Sequence, residues 1–256
     1  MSTPRALILK APGTNCDEET SAAWSLAGAQ VETHHVLRLL EKPTELDRFQ
    51  ILTIPGGFSY GDDLGAGRIF ASRIGSVLND ALCRFRDRGG LLLGICNGFQ
   101  VLVRAGLLPG GSKEHRTTLA RNVSGHFEAR WVRLQATSGQ TPFLAHDEII
   151  ELPVAHGEGR FLTSPANDAE ALDQSGRIVL KYVDEAGKPT EAFPANPNGS
   201  MRGTAGMCDE TGRVFGLMPH PERYVDPFHH PRWTRMGAKP EGDGLRIFRN
   251  AVKALG

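Results

Sequence analysis

The sequence carries no excess of either charge. Its 29 Lys and Arg residues balance 29 Asp and Glu residues, so it offers no general surface for nucleic acid or membrane. It has no apolar run long enough for a spanning helix and no leader-like start, and a cytoplasmic setting is expected. It has no internal repeat and no low-complexity linker. Cysteine is scarce: Cys16, Cys83, Cys96 and Cys208 form no C-x-x-C pair, which favours free thiols in a reducing compartment over disulfides. A nucleotide loop is missing too, because Gly65-Ala66-Gly67 has neither the spacing nor the lysine of one. Glycine is plentiful, with 30 residues in 256, and several of them flank the residues with the most chemistry.

The most informative stretch is residues 89–100. Leu91 to Ile95 is a short apolar run after a glycine pair, which suits a strand buried on both faces. Phe99 to Arg104 continues without a breaker and can wind into a helix. Between them, Gly94-Ile95-Cys96-Asn97-Gly98 is a Gly-x-nucleophile-x-Gly elbow with sulfur at its centre. The helix after it aims unpaired N–H groups at the sulfur and favours the thiolate. The ordinary fate of a free cysteine is a small core residue. The elbow argues otherwise.

The flanking segments supply a frame. Strands are expected at Ala6–Leu9, Val31–Val36 and Phe49–Ile54, with a helix over Asp17–Ala27 and a long helical stretch from Arg68 to Arg88. Those spacings argue for an α/β fold with a parallel sheet and crossover helices. Ligands on such sheets sit beyond the carboxyl ends of the strands. Pro55-Gly56-Gly57 and Cys96 both fall at such ends. Backbone N–H groups of Gly57 and Asn97 are therefore candidates for an oxyanion hole. Further strands are expected at Phe127–Leu134, Glu148–Val154, Ile178–Val183 and Val214–Met218, and a last helix at Leu245–Leu255; Arg116 to Arg121 is ambiguous.

A base and an orienter appear downstream as Pro219-His220-Pro221-Glu222. The prolines exclude helix and favour extended backbone, in which residues two apart share a side. Glu222 can then hold one imidazole nitrogen and leave the other for Cys96, a nucleophile, base and orienter set. His156 competes for the base role, with Glu158 two residues on, and spacing alone does not exclude it. His220 is preferred because its prolines fix the geometry. Cys16 lies at a helix start with no His-and-acid pair tied to it, and Cys83 reads as core. His229-His230 lacks a third ligand, so no metal is expected.

These residues resemble the class I, triad-type glutamine amidotransferase family. The likeness rests on Gly94-Ile-Cys96-Asn-Gly98-Phe-Gln100 with His220-Pro-Glu222. Residues 12–20, 55–62, 156–161 and 218–223 narrow it to members that feed ammonia to a purine-biosynthetic synthase. The resemblance covers nearly the whole chain. It implies one domain over residues 1–256, a flavodoxin-like class I glutaminase fold with a mostly parallel sheet and helices on both faces. It implies Cys96 as the thiol that attacks glutamine, His220 as base and acid, Glu222 as its orienter, and Gln100 as a glutamine contact. It further implies a large ATP-dependent synthase subunit and a small bridging subunit as partners. ATP and magnesium would act there, with no cofactor on this chain. Residues 226–243 are longer than the compact form of this subunit needs; they read as a surface insertion or as cover for a partner. Alternatives remain: a glutaminase serving GMP or CTP synthesis, a stand-alone cysteine hydrolase on a related fold, or a non-enzymatic sensor using Cys96.

Overall fold

Apolar runs without alternation demand cover on both faces, and the fold supplies it around a single sheet. The computed structural model describes residues 3–110, 116–137, 140–165, 168–237 and 239–256. Along the chain the strands are β1 (Arg5–Lys10), β2 (Gln30–His35), β3 (Ile51–Ile54), β4 (Leu91–Ile95), β5 (Arg116–Ala120), β6 (Glu128–Ala136), β7 (Ile149–His156), β8 (Arg160–Ser164), β9 (Ile178–Tyr182), β10 (Thr204–Cys208) and β11 (Val214–Leu217). The helices are α1 (Asp17–Leu26), α2 (Val36–Glu41), α3 (Arg68–Val77), α4 (Asn79–Asp87), α5 (Asn97–Arg104), α6 (Asp168–Gln174), α7 (Trp233–Met236) and α8 (Asp243–Leu255).

Nine strands form one sheet in the order β2-β1-β3-β4-β11-β10-β9-β6-β7, and β5 pairs with β8 apart from it. From β2 to β11 every pairing is parallel, as expected for the fold class. From β11 onward every pairing is antiparallel. β3 and β4 are buried at every residue. A fully buried leucine contributes about 1.5–3 kcal/mol, so Leu91, Leu92 and Leu93 anchor the centre of the sheet. Trp24 of α1 meets Phe248 of α8 edge-on at 4.9 Å, joining the first and last helices over one face.

Several elements depart from the sequence expectation. The long helix breaks at Leu78 into α3 and α4. The ambiguous stretch is β5, and β8, β10, α2 and α6 have no counterpart among the expected elements. β10 is Thr-Ala-Gly-Met-Cys, a strand of small residues with little β-branching, so its local signal is weak.

The antiparallel half curls. The register of β9 against β10 shifts between Thr204 and Met207, and such breaks in a ladder sharpen twist and bend a sheet. As a result β7, the last strand in the order, returns to the carboxyl ends of β4 and β11. Its Pro153 carbonyl accepts from the His220 N–H at 2.8 Å. The Glu151 N–H donates to Asp243 Oδ2 at 3.0 Å, which ties the start of α8 to the same strand.

Candidate active site

The elbow is built as its glycines require. A Cβ on Gly98 would lie 1.8 Å from the Ile54 carbonyl oxygen, and one on Gly94 would lie 2.6 Å from Leu102 Cδ1. Only hydrogen fits where α5 passes over β3 and β4. Cys96 itself sits at φ 51°, ψ −104°, a strained conformation for a residue with a Cβ. The Cys96 N–H donates to the Leu217 carbonyl at 2.8 Å, which fixes the turn to β11. Asn97 opens α5, so its backbone N–H is one that the helix leaves free.

Beyond β11, His220 and Glu222 are almost fully buried. Glu222 Oε1 is 2.6 Å from His220 Nδ1, the pairing expected from the sequence. The route differs from the expectation. Pro221–Arg223 forms a 3-10 turn rather than extended chain, because proline is tolerated at the first helical position, where no N–H is needed. Burial opposes a charge on His220. The Glu222 carboxylate and the nearby Cys96 and Cys16 sulfurs overcome that and hold its pKa well above the ordinary value. His220 Nε2 is buried and has no closely directed hydrogen-bond partner among the described residues, and the Cys96 and Cys16 sulfurs are its neighbours. The Cys96 thiol instead faces the Ala155 carbonyl of β7 at 3.7 Å.

A loop after β3 faces this group. Gly57 has φ +136°, and a Cβ there would meet the Asn15 nitrogen at 2.7 Å. Tyr60 and Asp62 hold positive φ as well, so the loop is wound tightly. The Asn97 side chain clamps it: Oδ1 accepts from the Ser59 N–H at 3.3 Å, and Nδ2 donates to Asp62 Oδ1 at 3.1 Å and to Gln100 Oε1 at 3.0 Å. Gln100 Nε2 in turn donates to the Glu158 carbonyl. Both ends of the Gln100 amide are therefore engaged by protein. Burial raises the Asp62 pKa against the bonds from Gly67 and Asn97 that lower it, and the Glu158 charge adds to the rise.

The elbow, loop and β7 enclose a cavity of about 430 Å³. Cys96, His220, Gly57 and Gln100 line it, as the sequence led us to expect, and so do Asn15, Phe58, Asp62, Phe127, Ala155, His156, Glu158 and Arg223. His156 is buried at the end of β7 rather than lying beyond the strand. Burial, then the charge of His220, pushes its pKa down to about 3. An imidazole so depressed is a poor general base near neutrality, and the carboxylate-bonded His220 suits that role better.

Cys16 belongs to the same cluster, contrary to the sequence expectation. Arg223 Nη2 donates to its sulfur at 3.2 Å. Its sulfur, one His220 nitrogen and one Glu222 oxygen lie within 4.8 Å of one another, a set that could ligate a metal. The 2.6 Å bond between His220 and Glu222 suits an imidazole held by its orienter better than two arms of a metal site. Residues 226–243 are anchored in part. His230 is buried with its ring 4.3 Å from Trp131, while Phe228 and Trp233 stay exposed against each other at 5.0 Å. Ala238 lies outside the described residues.

Residues 3–254 match the family described as the CobB/CobQ-like glutamine amidotransferase domain. A Dehalococcoides mccartyi protein named phosphoribosylformylglycinamidine synthase subunit PurQ is 50% identical over 255 residues, 99% of this chain and 98% of that one. A Methanococcus maripaludis protein of the same name is 39% identical over 264 residues, 98% of this chain and 97% of its own. Among solved structures, a chain of PurLQS from Thermotoga maritima is 32% identical, covers 100% of both chains and superposes with a TM-score of 0.75.

Proposed function

Because the chain belongs to the CobB/CobQ-like glutamine amidotransferase domain family, we propose that it is the glutamine-hydrolysing subunit of a phosphoribosylformylglycinamidine synthase. It releases ammonia from L-glutamine and passes it to a large synthase subunit, which converts formylglycinamide ribonucleotide to formylglycinamidine ribonucleotide in purine biosynthesis. A small third subunit completes the assembly. The full-length likeness to PurQ proteins and to a chain of PurLQS supports this reading. ATP and magnesium act on the synthase subunit, and this chain works without a cofactor. No described helix is long and apolar enough to cross a membrane, and we place the protein in the cytoplasm.

The observation that carries the chemistry is a buried Cys96 elbow opening on one cavity with the His220–Glu222 pair. The Cys96 sulfur, as thiolate, attacks the carboxamide carbon of glutamine. Backbone N–H groups of Gly57 and Asn97 receive the developing oxyanion, and one such donor typically contributes ~10²–10³ in turnover. The C–N bond breaks as His220 gives its Nε2 proton to the leaving nitrogen, and ammonia departs. His220 then takes a proton from water, whose oxygen displaces the thiol and yields glutamate. Glu222 holds the imidazole ring and its charge throughout. Gln100 forms part of the glutamine-facing wall. Arg223, Asp62 and Glu158 give the lining groups of both signs, which suits a zwitterionic amino acid.

Ammonia released here is consumed by another subunit, which favours turnover that rises on assembly. Ammonia release by the chain, alone and with the synthase subunits, tests this. Cys96→Ala is expected to abolish glutamine-dependent synthesis in the complex and leave synthesis from free ammonia intact. Retained glutaminase activity in Cys96→Ala, with loss in Cys16→Ala, would reject the assignment.

A further inference from the structure

The buried Nε2 of His156 has no partner among the described residues, although its ring is held firmly. Asn122 explains the hold. Asn122 Nδ2 donates to the His126 carbonyl at 2.9 Å and to the His156 carbonyl at 2.8 Å. Its Oδ1 is therefore an acceptor, and it receives the Gly159 N–H at 3.2 Å and His156 Nδ1 at 3.2 Å. His156 thus carries its proton on Nδ1, and Nε2 presents a lone pair. A Cβ on Gly159 would sit 2.5 Å from His156 Cε1, so only glycine leaves room for the ring here. The fold commits four hydrogen bonds and a glycine to aligning an acceptor that no described residue uses. An unsatisfied buried acceptor calls for an explanation.

We propose that His156 Nε2 accepts a hydrogen bond from the carboxamide N–H of glutamine and so selects the amide over the carboxylate. The proposal rests on reading the cavity as the glutamine site. His156 adjoins Ala155, whose carbonyl takes the Cys96 thiol proton at 3.7 Å. Once that proton has moved to His220, the Ala155 carbonyl is a second free acceptor. A carboxamide NH₂ has two hydrogens to give, one to each acceptor. Its oxygen is then turned towards the N–H groups of Gly57 and Asn97. A γ-carboxylate has no hydrogen to give and would bring negative charge against two lone pairs. The same arrangement therefore expels the product, glutamate. The low basicity of His156 serves this role, since a protonated ring would offer a donor and attract the carboxylate.

The test compares glutamine with the γ-methyl ester of glutamate, which lacks the N–H groups, in the assembled complex. In His156→Phe, kcat/KM for glutamine is expected to fall by about ten- to a hundredfold. The ester should change by less than about threefold, since it loses no hydrogen bond. His156→Gln, which keeps an acceptor oxygen, should restore much of the preference for amide. Covalent labelling of Cys96 by a diazo-ketone analogue of glutamine, which also lacks the N–H groups, should proceed at the wild-type rate in both variants. Equal losses on both substrates, an unchanged glutamine rate, or loss of labelling would overturn the proposal and mark His156 as framework. Failure of the wild-type complex to release ammonia from glutamine would instead overturn the functional reading beneath it.

Discussion

His220 and His156 stand on two walls of one cavity, and the fold gives them opposite electrostatic settings. His220 leaves the parallel half of the sheet after β11, with Glu222 Oε1 at 2.6 Å. His156 ends β7 in the antiparallel half, and its ring nitrogen meets the neutral amide of Asn122 at 3.2 Å. Both rings are buried and both lose solvation. The carboxylate and the neighbouring sulfurs outweigh that loss at His220 and raise its pKa, whereas nothing outweighs it at His156. Burial alone therefore does not decide the state of a histidine. The charges around the ring do: the Glu222 carboxylate and two sulfurs at His220, and the charge of His220 at His156.

The contrast is easiest to break at His220. His220→Asn removes the proton donor and is expected to slow thioester formation by about 10²–10⁴-fold, read as the rate of Cys96 acylation in a rapid-mixing experiment. A loss as small as that of His156→Phe would show that the two histidines do not differ in role as their settings imply.

Glu222→Gln should have the next largest effect, because it gives His220 the kind of neutral neighbour His156 already has. The imidazolium then loses its charge partner and its pKa falls. The alkaline limb of the kcat/KM profile for glutamine should move to lower pH, while the acid limb stays in place. An unmoved alkaline limb would mean that Glu222 only positions the ring.

The smallest effect is on stability, and here the two residues act with opposite sign. His156 has a folded pKa of about 3 against an ordinary value of 6.5, so the folded state resists its protonation. Its share of stability is complete above pH 6.5 and is lost as pH falls towards 3. His156→Phe should flatten that acid loss by up to about 1.4 kcal/mol per pH unit, the value of one proton. His220 has a raised folded pKa. Its share is present below the ordinary histidine value and fades as pH rises through the folded one. Chemical denaturation at several pH values reads both slopes. A His156→Phe curve parallel to wild type between pH 6.5 and 4 would contradict the depressed setting.

The two halves also differ in how far the sequence reveals them. Leu91–Ile95 and Ile51–Ile54 announce themselves because a strand buried on both faces needs an unbroken apolar run. The elbow is readable because Gly94 and Gly98 mark close backbone approaches that only glycine allows. His220 and Glu222 are readable because they are two residues apart. The wall formed by Ala155, His156 and Glu158 stands out as a motif, but nothing local says that the sheet curls back to Cys96. The same holds for Cys16, which meets His220 and Arg223 from the opposite end of the chain. Asn122 gives no signal at all, since its work is to set the tautomer of a residue far along the chain.

The returning strand has one more consequence, for how the molecule keeps to itself. An edge strand with free backbone groups is a template for another chain. β7 is such an edge, yet its outward-facing groups are taken: the Glu151 N–H by Asp243, the Pro153 oxygen by the His220 N–H, and the Ala155 oxygen by the Cys96 thiol. Pro153 has no N–H to add to a growing sheet. The segment carrying His220 thus also covers this edge of the sheet. Damage to residues 218–243 would strip both functions together, so loss of turnover and onset of self-association would arrive as one event.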